Sequence, residues 1–94
     1  MRTISYDTVP VGYMAGGMRR YVENGIEPGG FMRSLLSNDL RSAVATADAM
    51  NLVHLPHWVV WLENNLPATA WGSAERYEAW INNGGNAGDL DEAS

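Results

Sequence analysis

The chain has 94 residues, 46% of them hydrophobic, with four tryptophans and a formal net charge of −5. A chain of this length buries roughly 65% of its unfolded surface, so we expect one globular domain rather than a disordered segment. The absence of cysteine excludes disulfides and thiolate metal sites, and an acidic chain is a poor general binder of nucleic acid.

The first predicted helix follows Pro10, a residue that fits a first helical turn. Residues 1–9 alternate as an extended segment does. Asn24-Gly25 is typical of a left-handed helix stop. Apolar side chains recur at helical spacing between these limits: Met14, Met18 and Val22.

Residues 31–51, "FMRSLLSNDLRSAVATADAMN", carry an apolar stripe that predicts one long helix, or two helices joined at Ser37-Asn38-Asp39. These three side chains compete for backbone hydrogen bonds inside a helix. We therefore expect a break or kink there, with Ser37 or Asn38 capping the helix that follows.

Two further helices are predicted in the second half of the chain. Pro56 fits the first turn of "LPHWVVWLENNL", and Pro67 ends it. Ser73 is typical of the N-cap of a last helix, which Gly84-Gly85 stops. The predicted fold is all-α, with three to four helices and a kinked central helix in one domain over residues 1–84. Residues 85–94 are predicted to be a disordered acidic tail.

No pattern of catalytic or metal-binding residues stands out. His54 and His57 are three residues apart, but Pro56 separates them and no third ligand is suggested, so we expect no metal. The serines lack a nucleophile elbow, and the paired carboxylates lie on an exposed helix face or in the tail. "PGGF" lacks the lysine of a phosphate-binding loop. The sequence predicts neither an enzyme nor a bound cofactor.

All six basic side chains are arginines, and lysine is absent. The planar guanidinium suits phosphates and stacks on flat rings, so a few arginines could form a local anion site on an acidic protein. They could equally be solvated or paired residues on helix faces. The aromatic residues exceed what a small core needs, which favours a homo-oligomer.

Three segments in this order resemble a family of small phage proteins. They are "GIEPGGFMRSLLSNDLRSAVATAD", "LPHWVVWLENNLP" and "WGSAERYEAWI", and the likeness covers about residues 19–82. The shared pattern is a glycine-proline turn, Leu-x-Asn-Asp-Leu, Ala-Asp, a helix ending in Asn-x-x-Pro, and Trp-Gly-Ser-x-Glu. On this pattern the chain resembles the phage anti-CBASS proteins that act as cyclic-oligonucleotide sponges.

The resemblance implies a compact helical homo-hexamer that sequesters cyclic di- and trinucleotide messengers without cleaving them. Ligands of the 3′,3′-cyclic GMP-AMP type, and cyclic triadenylate, would be held between protomers in the host cytoplasm. Such binding would keep the messenger from activating the CBASS effector. No membrane or DNA contact is implied.

The resemblance also suggests site residues. Arg41, after Asn-Asp-Leu, is the first candidate for a phosphate contact, followed by Arg33 with Tyr21 as a stacking partner. Ser37 and Arg76 are candidates for a second site. Ile26 stands where relatives carry an aromatic residue, and it cannot stack equally well on a base.

Two other functions are alternatives to this interpretation. A phage protein that blocks a host enzyme would use the same acidic and aromatic surface to bind its target. A helix-turn-helix DNA-binding protein is disfavoured by the net charge.

Overall fold

The computed structural model describes residues 4–87, and the regular secondary structure of these residues is entirely helical, with no β-strand. The all-α class is therefore confirmed for this part of the chain. Within it, no helix is long and apolar enough to cross a membrane. The α-helices are α1 (Ala15–Asn24), α2 (Gly30–Leu36), α3 (Leu40–Thr46), α4 (Ala49–Val53), α5 (Leu55–Asn65) and α6 (Ala74–Asn82).

Short 3₁₀ helices complete the described fold at Tyr6–Thr8, Gly12–Met14 and Ala68–Ala70. The prediction of an extended segment over residues 1–9 was wrong at Tyr6–Thr8, and residues 1–3 lie outside the described part. The turn forms because the backbone N–H of Thr8 donates to the Ser5 carbonyl at 3.0 Å, and its hydroxyl donates to the same oxygen at 2.6 Å. A threonine side chain thus closes a local turn in place of strand pairing.

The chain leaves the helical conformation between α2 and α3, where the sequence predicted a break. Asn38 adopts φ 58°, a left-handed conformation that asparagine tolerates. Asp39 is the N-cap of α3, and its carboxylate accepts from the Ser42 N–H at 3.2 Å. The prediction that Ser37 or Asn38 would cap α3 was wrong, because Asn38 makes the turn and the cap falls one residue later.

A second interruption separates α3 from α4, so residues 31–51 contain three helices rather than one or two. Asp48 caps α4 by accepting from the Asn51 N–H at 2.8 Å. It also accepts a hydrogen bond from the Tyr13 hydroxyl, which holds the pKa of this carboxyl below its usual value. The described part therefore has more helices than the three to four predicted.

The last two helices were predicted correctly. Pro56 lies in the first turn of α5, which ends before Pro67. Ser73 caps α6, and its hydroxyl accepts from the Arg76 N–H at 3.1 Å. Gly84 and Gly85, both at positive φ, follow the end of α6.

Aromatic side chains form the centre of the core. Tyr21 stacks on Tyr77 with ring centroids 5.5 Å apart, and the Tyr21 hydroxyl donates to the Ala70 carbonyl at 2.5 Å. Burial raises the pKa of Tyr21. The indole N–H of Trp80 donates to the Tyr21 carbonyl at 3.1 Å. These bonds connect α1, α6 and the loop between α5 and α6 at one point.

Trp58 anchors α5 in the core. Its ring is fully buried and packs edge-on against Phe31 and Trp61. Its indole N–H donates to the Oδ1 atom of Asn51 at 3.0 Å, and Asn51 is itself 2% exposed. The buried amide thereby satisfies the one polar group of the largest fully buried side chain, as a buried polar group requires.

Two backbone segments meet where α1 ends. An added Cβ atom at Gly85 would lie 2.6 Å from the nitrogen of Gly25 and 2.6 Å from the carbonyl oxygen of Val22. Gly85 is buried and begins a helical turn over residues 85–87. The packed part of the chain therefore continues past residue 84. The remainder of the predicted tail, residues 88–94, lies outside the described part.

We expect Gly85→Ala to destabilise the fold, because the new methyl group meets backbone that cannot move aside. The left-handed conformation alone costs about 1–2 kcal/mol for a residue with a Cβ atom. Gly12→Ala is the matched control, since no heavy atom lies within 4 Å of its added Cβ. Urea denaturation should show a clear decrease in the free energy of unfolding for Gly85→Ala. For Gly12→Ala this free energy should change by no more than roughly 0.5 kcal/mol. Equal stability of the two variants would contradict the close approach.

Because Asn51 and Trp58 share a hydrogen bond, we expect substitutions at these two residues to have non-additive effects on the free energy of unfolding. Asn51→Ala leaves a buried indole N–H without a partner, which costs about 1–3 kcal/mol. In a Trp58→Phe background that donor is gone, so Asn51→Ala should cost less by roughly 1–2 kcal/mol. A double-mutant cycle by thermal or urea unfolding measures this coupling. Additive losses would mean that the hydrogen bond contributes little.

Candidate functional site: the cleft between the α2–α3 turn and α6

A cleft of about 480 Å³, half open to solvent, lies between the α2–α3 turn, one face of α5 and the loop that leads into α6. Its walls come from segments that are far apart in the sequence. Asn38 and Asp39 come from the α2–α3 turn, and Trp71 and Arg76 come from the loop before α6 and from α6 itself. The cleft therefore depends on how the loop between α5 and α6 is held.

Two hydrogen bonds hold that loop. The backbone N–H of Gly72 donates to the Leu36 carbonyl at 2.8 Å, which ties the loop to the last residue of α2. Two residues earlier, the Ala70 carbonyl accepts from the buried Tyr21 hydroxyl. Gly72 has φ 110°, a conformation that residues with a Cβ atom rarely adopt. The loop is thus fixed on both sides of Trp71.

The floor of the cleft is a stripe along α5. Leu55, Val59 and Glu63 are four residues apart, so they lie on one face of the helix. Val59 is 44% exposed although it is apolar. The stripe offers a flat group an apolar surface that ends at a carboxylate.

The polar groups of the cleft include one cation and two anions. Arg76 is exposed and folds toward the loop, since an added Cβ atom at Gly72 would lie 3.1 Å from its Nη1 atom. Asp39 already accepts the capping hydrogen bond of α3. Glu63 is exposed at the end of the α5 stripe. With the half-buried ring of Trp71, the cleft combines an aromatic surface, a guanidinium group and carboxylates.

The structure brings one of the six predicted site residues into this cleft, and two others adjoin residues that line it. Arg76 lines it, and Ser37 is the half-buried C-cap of α2, next to Asn38. Arg41 is exposed on α3 next to Leu40, which also lines the cleft. Among residues 4–87, Arg41 and Arg76 take part in neither of the two ion pairs, Arg19–Glu23 and Arg33–Glu27.

The other predicted residues lie around the turn between α1 and α2. Arg33 pairs with Glu27 at 3.7 Å on the surface, and Ile26 is 50% exposed. Tyr21 is fully buried and already stacked on Tyr77, so its ring presents no face to a ligand. The core uses this ring, so the predicted stacking of Tyr21 on a base would require the ring to leave Tyr77.

The sequence did not single out Trp71 and Glu63. Contacts between distant segments, such as the bond from the Gly72 N–H to the Leu36 carbonyl, bring these side chains into one cleft with Asn38 and Asp39, and no local pattern reports such contacts. The sequence did contain one signal for the cleft, the motifs Asn-Asp-Leu and Trp-Gly-Ser, which lie close together in the structure.

The two histidines, His54 at the N-cap of α5 and His57 in its first turn, lie beside a second cavity of about 540 Å³. Their Nδ1 atoms are 3.1 Å apart, so one ring donates a hydrogen bond to the other. Within residues 4–87 no group of three or more His, Cys, Asp or Glu side chains is arranged to hold a metal ion.

Comparisons of the chain with protein-family models, with curated proteins and with solved structures found no match. The chemistry of the cleft is therefore the basis for assigning a function.

Proposed function

We propose that this protein binds cyclic di- and trinucleotide messengers of the 3′,3′-cyclic GMP-AMP type in the cleft and sequesters them without cleavage. It would thereby block CBASS signalling in the host cytoplasm. One observation carries the proposal. Two of the segments that resemble the sponge family, "SNDL" and "WGSAER", converge on one cleft and bring Arg76 into it.

The cleft has the size and groups that a nucleotide needs. Pockets for ligands of this size measure about 300–1,000 Å³, and this one measures about 480 Å³. The Trp71 ring can stack on a base, an interaction worth about 1–3 kcal/mol. Arg76 offers the planar fork that pairs with a phosphate.

The remaining groups of the cleft favour binding over catalysis. Cleavage of a phosphodiester needs a base near a nucleophile. Ser34 lines the cleft, but its hydroxyl donates to the Gly30 carbonyl at 3.0 Å. His54 and His57 lie at the other cavity.

We also propose that the ligand is enclosed by several copies of the chain, as a homo-hexamer. Large apolar side chains are exposed along α3, α4 and α5, and a protein that buries them gains hydrophobic free energy. Leu40 is 68% exposed and Val53 is 71% exposed. A half-open cleft beside such a surface would be closed by a neighbouring copy, which could add Arg33 or Arg41 to the phosphates.

A second candidate is a protein that inhibits a host enzyme by binding to it. The same exposed apolar surface and the Asp39 and Glu63 carboxylates would suit a partner that inserts a basic side chain. Such a protein would form a stable complex with a host protein and would be indifferent to cyclic nucleotides.

Arg76→Gln should weaken the binding of 3′,3′-cyclic GMP-AMP, because a hydrogen bond to a charged group contributes about 1.5–3 kcal/mol. We expect a Kd about 10- to 100-fold higher by titration calorimetry. The capping bond of α6 uses the backbone of residue 76, so it persists in this variant. Arg19→Gln is the matched control, since Arg19 is an exposed arginine paired with Glu23 on α1, and it should bind as the unchanged protein does.

Absence of binding by the unchanged protein at high micromolar ligand would contradict the proposal. Equal weakening by both substitutions would place the phosphate contact outside the cleft. Ligand recovered from the heat-denatured complex should be chemically intact, and a linear product would identify a phosphodiesterase instead.

A further inference from the structure

The charges in the cleft do not suit a phosphate alone. Two carboxylates and one guanidinium line it, so an anion that lay deep in the cleft would meet more negative than positive charge. A phosphate is therefore best placed at Arg76, and the carboxylates of the cleft require a group that donates hydrogen bonds. Among the parts of a nucleotide, a base edge meets that requirement.

The four bases differ in what they present to a carboxylate, which accepts hydrogen bonds through two adjacent oxygens. The Watson–Crick edge of guanine carries two neighbouring donors, N1–H and the N2 amino group. Adenine carries one donor, the N6 amino group, beside the N1 acceptor. A carboxylate therefore pairs with guanine through two bonds, whereas its second oxygen would face the adenine N1 lone pair.

Glu63 is the carboxylate that is placed for this role. Asp39 is committed to the backbone of α3 through its capping bond to Ser42. Glu63 takes part in neither ion pair of the described residues and lies one helical turn from Val59 on the cleft floor. An apolar surface that ends at an available carboxylate suits a flat ring with donors on its edge.

We propose that the cleft selects guanine, with the base stacked on Trp71, its N1–H and N2 amino group donating to Glu63, and an adjacent phosphate paired with Arg76. The inference rests on the proposed function and adds the identity of the base. Cyclic di-GMP and 3′,3′-cyclic GMP-AMP should bind about 10- to 100-fold more tightly than cyclic di-AMP, the range that one bidentate contact to a base provides.

The test is calorimetry of these three cyclic dinucleotides with the unchanged protein and with Glu63→Gln. A glutamine presents one acceptor and one donor, which matches adenine rather than guanine. We expect Glu63→Gln to lose about 10-fold in affinity for cyclic di-GMP and to gain affinity for cyclic di-AMP. Glu78→Gln, an exposed position on α6 that does not line the cleft, is the control for net charge.

The direction of the change separates base recognition from simple electrostatics. Removal of a negative charge by itself strengthens the binding of every dianionic ligand, so a loss confined to guanine ligands cannot come from charge. Equal affinity of the unchanged protein for all three ligands, or a uniform gain in Glu63→Gln, would overturn guanine selection and leave sequestration standing. Absence of binding to all three would overturn the proposed function and this inference with it.

Discussion

The attachment of the loop between α5 and α6 is the constraint on which the rest of the structure depends. The Gly72 N–H bonds the end of α2, and the Ala70 carbonyl receives the buried Tyr21 hydroxyl. These two bonds place the start of α6 beside the α2–α3 turn, and they fix the half-buried Trp71 between them. Residues of α2, α5 and α6 thereby line one common cleft.

The motifs that carry the resemblance also determine local structure. Asp39, Asp48 and Ser73 accept capping hydrogen bonds from helix N-termini, and Gly72 makes the turn that admits the loop. Much of the pattern is thus explained by local folding. In the cleft, Trp71 is half buried against the core, whereas Glu63 and Arg76 are exposed and take part in neither ion pair of the described residues.

Local signals predicted much of the fold, since caps and stops are encoded within a few residues. Ser73 and Gly25 behave as predicted, and the break after α2 falls where three poor helix formers occur together. What the sequence could not provide was contact between distant segments. Tyr21 was taken for a ligand contact because burial by Tyr77, 56 positions later, has no local signature. For the same reason no sequence pattern indicated that Trp71 and Glu63 line one cleft with Arg76.

The most direct test of the central claim uses the four tryptophans as reporters. Trp58, Trp61 and Trp80 are buried, with their indole N–H groups bonded to Asn51, Thr8 and Tyr21, whereas Trp71 is half buried in the cleft. Protein labelled with 5-fluorotryptophan and titrated with 3′,3′-cyclic GMP-AMP should show one ¹⁹F resonance, that of Trp71, shifting strongly while the other three change little. A saturable titration that leaves the Trp71 resonance in place, or no response of any resonance, would contradict a nucleotide site built on this cleft.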